Sequence, residues 1–295
     1  MVSFDYVRPQ TLEQLLTGLQ EARSEGAVLA GGTDLHVKIR AGMSSPRVLF
    51  DISELAPCRS IVPEKESLRI GGAVRMAELM ASAAVWAKVP SLAAAAREMS
   101  SRQIRNRATL AGNIVTASPA ADAVPPLLAA DATLLLVSSA GKRVVPLADF
   151  LLGPGKTSLA DGEVMTEILI PSERSGCCSG FVKVGRRKAQ AISIINLAGA
   201  IHIGEDGIVK DVRIALGAVA PTAMRARQAE AVLLGTNPNA RNLEEAAALA
   251  AEECNPISDV RGSGRGRRLL VKAWTLRLLQ QLCDKSRALA EARNS

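Results

Sequence analysis

The stretch Gln103-Ile-Arg-Asn-Arg-Ala-Thr-Leu-Ala-Gly-Asn-Ile114 is the most informative part of this chain of 295 residues. It lies within a region from Ser101 to Pro126 that is rich in Gly, Asn, Ser and Pro. That composition predicts a long and mostly irregular segment, and long loops inside compact domains are usually functional. We therefore expect ligand-binding residues around Thr109-Leu-Ala-Gly-Asn113.

A second glycine-centred loop, Leu29-Ala-Gly-Gly-Thr-Asp34, lies nearer the N-terminus. Glycine lets the backbone approach a ligand and expose consecutive N–H groups, which bind phosphate oxygens. Thr33, Thr109 and Asn113 add side-chain donors. The carboxylate of Asp122 can accept hydrogen bonds from a ribose. Each loop taken alone is typical of a plain turn, and neither has the glycine spacing of the common dinucleotide-binding fold or of a P-loop.

The flanking sequence predicts a mixture of helices and strands. Apolar residues between Leu12 and Leu19 have helical spacing, and Thr11 is a suitable N-cap for that helix. This helix belongs to the first segment of the chain, which is predicted to form a small β-α-β-α-β unit. The other predicted helices of this half of the chain are 35–40, 76–87 and 91–100, and the predicted strands are 27–30, 48–52, 68–72, 133–137, 143–145 and 164–170.

The remainder of the chain predicts a β-meander followed by helices. Ser172 to Gly180 is small and polar, which is typical of a linker. The turn Glu205-Asp-Gly207 is a strong hairpin signal. The predicted strands are 181–184, 192–203 and 208–219, and the predicted helices are 226–234, 243–253 and 267–283.

Composition and charge weigh against several classes of protein. The net charge of +7 would suit a nucleic-acid partner, but aromatic residues make up only 2%, too few for stacking platforms. The longest apolar stretch, 191–203, is too short to span a bilayer, because a transmembrane helix needs about 20 residues. Asp5 and Arg8 stand where a signal peptide needs an apolar core, so we expect a cytoplasmic protein. The scattered and odd-numbered cysteines predict free thiols and no metal site: Cys58, Cys177, Cys178, Cys254 and Cys283.

In combination, the motifs are far more specific than each is alone. The two glycine loops, with Ala117-Ser-Pro-Ala-Ala-Asp122, resemble the FAD-binding motifs of the flavoprotein subunits of molybdenum hydroxylases. This is the family of the xanthine dehydrogenase FAD domain and the carbon monoxide dehydrogenase medium subunit. The resemblance covers nearly the whole chain in the expected order. Further matching stretches are Gly153-Pro-Gly-Lys-Thr157, Phe181-Val-Lys-Val-Gly-Arg-Arg187 and Ile257-Ser-Asp-Val-Arg-Gly-Ser263.

The resemblance implies an α+β fold with a two-lobed FAD-binding domain of the PCMH type. That domain would span 1–174, with lobes of about 1–55 and 56–174. A small C-terminal α/β domain, with the β-meander and helices, would span 175–295. Both glycine loops would hold the FAD pyrophosphate, Asp122 would contact the ribose region, Lys183 would approach the flavin, and Ile104 would lie near the flavin on the side where electrons enter. The full set of implied FAD contacts is Leu29, Ala30, Gly31, Gly32, Thr33, Asp34, Ile104, Thr109, Gly112, Asn113, Ser118, Asp122 and Lys183.

The function implied by the resemblance is electron transfer within a heteromeric enzyme. A large subunit would bind the molybdenum cofactor, and a small subunit would hold [2Fe–2S] clusters. Electrons would reach FAD in this chain and then pass to NAD⁺ or another acceptor, with no catalytic acid or base and no metal ligand in this chain. Three alternatives remain open: a standalone flavin oxidoreductase of the same fold, a non-catalytic assembly factor derived from it, and a basic nucleic-acid-binding module.

The sequence departs from the family pattern in three places. Ala111 replaces the first glycine of a Gly-Gly-Asn motif, which requires a negative φ and room for a methyl group. Gln190-Ala191 stands where many relatives have an acidic residue, so the sequence does not determine the electron acceptor. Gly266 replaces a tyrosine that is common in the family. Three arginines in or directly before the Gln103–Ile114 stretch predict either a solvated basic loop or an electrostatic guide for phosphate or an acidic partner: Arg102, Arg105 and Arg107.

Overall fold

The computed structural model describes residues 4–171, 177–187 and 189–294. Its N-terminal lobe is a three-stranded parallel sheet in the order β1-β3-β2. The first helix begins at Leu12 because the hydroxyl of Thr11 accepts the N–H of Gln14, as the N-cap prediction requires. Leu15 and Leu19 of that helix pack against Phe50. The elements are β1 (Asp5–Val7), α1 (Leu12–Ala22), β2 (Gly26–Leu29), α2 (Leu35–Arg40) and β3 (Val48–Asp51).

The second lobe is built on a five-stranded antiparallel sheet in the order β4-β5-β10-β6-β7. Its strands are β4 (Ile61–Pro63), β5 (Ser67–Gly71), β6 (Thr133–Ser138), β7 (Gly141–Pro146) and β10 (Val164–Pro171), and β8 (Leu151–Gly153) pairs with β9 (Lys156–Thr157). Its helices are α3 (Met76–Ala81), α4 (Ala83–Lys88), α5 (Pro90–Glu98), α6 (Arg102–Arg105), α7 (Leu110–Val115), α8 (Val124–Ala129) and α9 (Leu147–Phe150).

The C-terminal domain is a four-stranded antiparallel sheet covered by helices, which confirms the predicted β-meander and adds one short strand. Leu278 of the last helix packs directly against Gly180 and Gly199, where a Cβ would lie 2.9 and 3.1 Å from its methyl groups. The elements are β11 (Cys178–Val184), β12 (Ile195–Ile203), β13 (Val209–Gly217), β14 (Met224–Arg225), α10 (Arg227–Leu233), α11 (Ala240–Glu252) and α12 (Gly264–Asn294).

The two domains share apolar packing. Helices α5 and α8 of the second lobe contact strands of the C-terminal sheet. Ala198 and Ala215 of that sheet are fully buried and belong to the same apolar cluster as the core of the second lobe. The C-terminal domain therefore packs directly against helices of the second lobe.

The prediction of a mostly irregular segment at 101–126 is wrong. Two short helices, α6 and α7, lie within this region and α8 begins in it. The hydroxyls of Ser101 and Thr109 accept the N–H groups of Ile104 and Gly112 and so begin α6 and α7. These helices are too short to show an apolar period, so the sequence pattern could not reveal them.

Two further boundaries differ from prediction. The helix expected at 76–87 is broken at Ser82, whose side chain caps α4 by accepting the N–H of Val85. The expected linker at 172–180 falls in part outside the described residues, and its last three residues are the start of β11. Across the described ranges, no helix is both long and apolar enough to cross a membrane.

Candidate cofactor site

The two glycine loops meet at one cavity of about 630 Å³. This volume lies within the range of small-molecule and cofactor sites. Besides both loops, residues of β10 and one residue of the C-terminal domain line it. The structure therefore brings most of the implied contacts to one place: Ala30, Gly31, Gly32, Thr33, Asp34, Ile104, Thr109, Gly112, Asn113 and Ser118.

The first loop follows β2 and presents unpaired backbone donors. Gly32 has φ +71°, a conformation that favours glycine. A Cβ on Gly31 would lie 2.2 Å from the carbonyl oxygen of Arg107, so the backbones of the two loops touch. Among the described residues, the structure gives no acceptor for the amide N–H groups of 31–34. These donors are available to an anionic ligand such as a pyrophosphate.

The second loop is organised differently. The N–H groups of Leu110, Ala111 and Gly112 donate to Val74 O (3.0 Å), Gly72 O (3.1 Å) and Thr109 Oγ1 (3.2 Å), so these amides are already paired inside the protein. Its contribution to the cavity therefore comes from the side chains and the Gly112 surface rather than from a row of unpaired amides.

The departure at Ala111 is accommodated by the fold. Ala111 lies in helix α7, so its φ is helical and negative, as the sequence argument required. A Cβ built on Gly72 would lie 3.1 Å from the Ala111 methyl carbon and 2.4 Å from Met165 O. The methyl group fits because its neighbour at position 72 is glycine.

Asp34 links the two loops. Its Oδ2 accepts the hydroxyl of Thr116 (3.2 Å), which directly follows α7, and forms an ion pair with Lys38 (2.8 Å). Together with the contact between Gly31 and Arg107, this bond makes the two loops one continuous cradle. A Cβ on Gly31 would not fit between the two loops, so the cradle is narrow at this residue. Unpaired backbone N–H donors lie along the first loop, as a bound dinucleotide requires.

Three implied contacts do not line the cavity. Leu29 is buried at the end of β2. The carboxylate of Asp122 is buried and accepts Lys183 Nζ (2.5 Å), Ser193 Oγ (2.7 Å) and Asn196 Nδ2 (2.8 Å). The ion pair between Asp122 and Lys183 therefore joins the two domains. It also stabilises the carboxylate of Asp122, because a buried carboxylate is tolerated only when it is paired. Their contacts with ribose and flavin stay predictions.

Several lining residues had no motif to mark them. Met99 and Ser100 follow α5, Glu163 precedes β10, and Ile192 enters from the C-terminal domain. The side-chain hydrogen bonds from Arg143 hold the pKa of Glu163 below its ordinary value, so this carboxylate is charged near neutral pH. None of these residues belongs to either glycine loop, and Glu163 and Ile192 are also distant from both loops in sequence.

Comparison with known proteins agrees with this geometry. The family described as "FAD binding domain in molybdopterin dehydrogenase" matches residues 2–173, and the "CO dehydrogenase flavoprotein C-terminal domain" matches 180–282. The chain belongs to this flavoprotein family. The resemblance stated from the sequence is confirmed, and so is the α+β fold with a C-terminal domain.

Individual relatives extend over nearly the whole chain. The xanthine dehydrogenase FAD-binding subunit of Escherichia coli O157:H7 is 32% identical over 94% of both chains. The carbon monoxide dehydrogenase medium chain of Hydrogenophaga pseudoflava is 32% identical over 88% of this chain and 90% of its own. A solved structure of carbon monoxide dehydrogenase from Hydrogenophaga pseudoflava has a TM-score of 0.92 at 31% identity, covering 96% of this chain and 98% of the other. This chain is therefore a flavoprotein subunit of a molybdenum-containing oxidoreductase, and its cofactor is FAD.

Proposed function

We propose that this chain carries electrons within a heteromeric molybdenum hydroxylase. A large subunit would bind the molybdenum cofactor and oxidise the substrate, and a small subunit would hold two [2Fe–2S] clusters. Electrons would leave those clusters for FAD in this chain and pass on to NAD⁺ or another acceptor. The relatives support a partner requirement, since their names include medium chain, FAD-binding subunit and complex subunit. We also infer a cytoplasmic complex, because the buried Cys58, Cys254 and Cys283 are free thiols, as in a reducing compartment.

The observation that carries the proposal is the cradle between the glycine loops. In it, Gly31, Gly32 and Thr33 would bind the pyrophosphate through the unpaired N–H groups of the first loop. The opposite wall would be Thr109, Gly112 and Asn113, with Ile104 nearby. We also propose the domain division 1–174 and 175–295, with lobes meeting near residue 55, since the family matches end at 173 and resume at 180.

FAD supplies the redox chemistry when bound, because it can exchange electrons singly or in pairs. The residues of this chain bind and orient it, and the C-terminal domain covers one side of the cavity through Ile192. Electron transfer requires no nucleophile or general base from this chain. Within the described ranges, no cluster of His, Cys, Asp or Glu could hold a metal ion. In this proposal the iron and molybdenum belong to partner chains.

The proposal is tested on the tagged full-length chain purified from cells that also make its partners. We expect a flavin absorption spectrum, FAD released by acid and identified by mass, and co-purifying polypeptides that contain iron and molybdenum. Addition of NADH to this complex then tests the acceptor, since bleaching of the flavin band supports NAD⁺ and unchanged absorbance favours another acceptor. A preparation that never takes up FAD, or a flavoprotein that turns over alone without such polypeptides, would contradict the proposal.

A further inference from the structure

One wall of the cavity has an unusual backbone conformation. Met99 and Ser100, which follow α5, both line the cavity. Ser100 has φ +46°, in the left-handed region that residues other than glycine rarely adopt. Such a conformation has an energetic cost and persists only where surrounding contacts hold it. Contacts from neighbouring side chains must therefore hold this turn.

The side chain of Arg105 makes the decisive contacts. Its Nη1 donates to the carbonyl oxygens of Met99 (2.9 Å) and Ser100 (3.0 Å). Hydrogen bonds from a charged group to a carbonyl are stronger than neutral ones, so one guanidinium fixes two successive peptide groups on either side of the strained φ. Arg105 is brought close because Ser101 caps α6, which places the arginine at the end of the same short helix.

Two other side chains hold the same turn from other directions. Lys183 Nζ lies 3.4 Å from the carbonyl oxygen of Glu98 and donates to it. The side-chain amide of Asn113 donates to the sulfur of Met99 at 3.7 Å. The turn at 98–100 is thus tied to the domain interface on one side and to the second glycine loop on the other, and Arg105 bonds directly to its left-handed residue.

Arg105 differs from the arginines on either side of it. Arg102 and Arg107 are exposed, and within the described chain the structure gives their side chains no hydrogen bond or ion pair. Arg105 is half-buried, and its Nε is a buried donor without an acceptor among the described residues. A buried donor left unpaired is costly, so the position is poorly explained by general stability alone. The sequence predicts either a basic loop or an electrostatic guide for all three arginines. Arg105 instead bonds to the Met99–Ser100 turn, which lines the cavity.

We propose that Arg105 is a positioning residue for FAD, acting through the Met99–Ser100 turn rather than as a surface charge. The inference rests on the proposed use of this cavity to hold FAD. Arg105 keeps Ser100 in its left-handed conformation and so sets the shape of the wall that the cofactor meets. Without the guanidinium, the turn relaxes toward an ordinary backbone conformation and the cavity changes shape.

The test measures FAD affinity by titration of the apo full-length chain at two salt concentrations. We expect Arg105→Ala to raise the Kd roughly tenfold or more, by loss of two charge-assisted bonds. The matched control Arg102→Ala removes the same charge from the same helix and stays within about twofold of the wild type. Arg105→Lys keeps a donor and falls between them. Adding Ser100→Gly to Arg105→Ala restores most of the affinity, because glycine adopts positive φ without strain.

Each other outcome overturns the inference. Equal weakening by R102A and R105A, with the effect vanishing at high salt, would show an electrostatic guide. Failure of S100G to improve binding in the R105A background would show that Ser100 is not the element held. If R105A alone is insoluble, R105K and the double variant decide the matter, since both must bind FAD more tightly than a R105M variant. Failure of the proposed function is distinguishable, because the wild-type chain itself would then not bind FAD.

Discussion

A methyl group at position 31 tests whether the contact between the two glycine loops makes the cofactor site. In Gly31→Ala the new Cβ would lie 2.2 Å from Arg107 O and 2.9 Å from the Cα of Ala108, whereas Cβ atoms essentially never come within 3.0 Å of such atoms. The obstacle is backbone, so the second loop must move away by about 0.8 Å. Overpacking of this kind costs about 1–3 kcal/mol.

This cost destabilises the FAD-binding geometry of the cradle, because the displaced segment leads directly into Thr109 and α7. At about 1.4 kcal/mol per tenfold, we expect the Kd for FAD to rise roughly 5- to 150-fold. The assay is titration of the apo chain with FAD, together with thermal unfolding of the apo chain. Gly153→Ala is the matched control, since a Cβ there meets nothing within 4 Å and its φ is not positive.

The reasoning predicts a larger effect on FAD binding than on apo stability, and no effect of G153A on either. Wild-type affinity in G31A would refute it, because the two loops could then separate without disturbing the site. A large fall in apo stability with unchanged affinity in the folded fraction would also contradict it. That result would make the contact a packing feature and not part of the cradle.

Three further predictions concern the surroundings of the site. Lys183→Met leaves the buried carboxylate of Asp122 without its counter-charge and should lower the free energy of unfolding by about 3–5 kcal/mol in urea denaturation, with partial recovery when Asp122→Asn is added. Ala111→Gly should destabilise α7 by about 0.5–1 kcal/mol in thermal unfolding while FAD affinity stays within about twofold, because the α7 amides keep their partners. Hydrogen bonds from arginine side chains hold the pKa of Asp259 well below its ordinary value, so its stabilisation is complete above about pH 4 and is lost as the pH falls further. The unfolding temperature of Asp259→Asn should therefore change less between pH 5 and pH 2 than that of the wild type; equal slopes would contradict this.

Much of the fold could be predicted from local signals. Helix α1 follows from leucine periodicity and the Thr11 cap, and the β12–β13 hairpin follows from its Glu-Asp-Gly turn. Helices α6 and α7 could not be predicted, since each is capped by one hydroxyl and is too short for any apolar period to appear. A single capping hydroxyl also explains why the helix expected at 76–87 is two helices, because Ser82 caps α4 within that range.

The candidate site shows a similar division. The residues next to glycine could be found because glycine marks close backbone approach. Met99, Ser100 and Ile192 could not, because they lie outside both glycine loops and no motif marks them, although all three line the cavity. Asp122 and Lys183 show the opposite limit: the family motif marks both, yet the structure pairs their side chains with each other across the domain boundary. A motif identifies residues that matter without stating which atoms they contact.

The burial of Ala198 and Ala215 in the core of the second lobe has a consequence for how this subunit is assembled and inherited. A fragment ending near residue 174 would leave the faces of α5 and α8 that contact the C-terminal sheet open to water, together with the unpaired carboxylate of Asp122. We therefore expect that neither of the two family-matched parts folds to a stable domain on its own. We expect that neither half keeps its stability when it is exchanged between relatives without the opposite face of the other half.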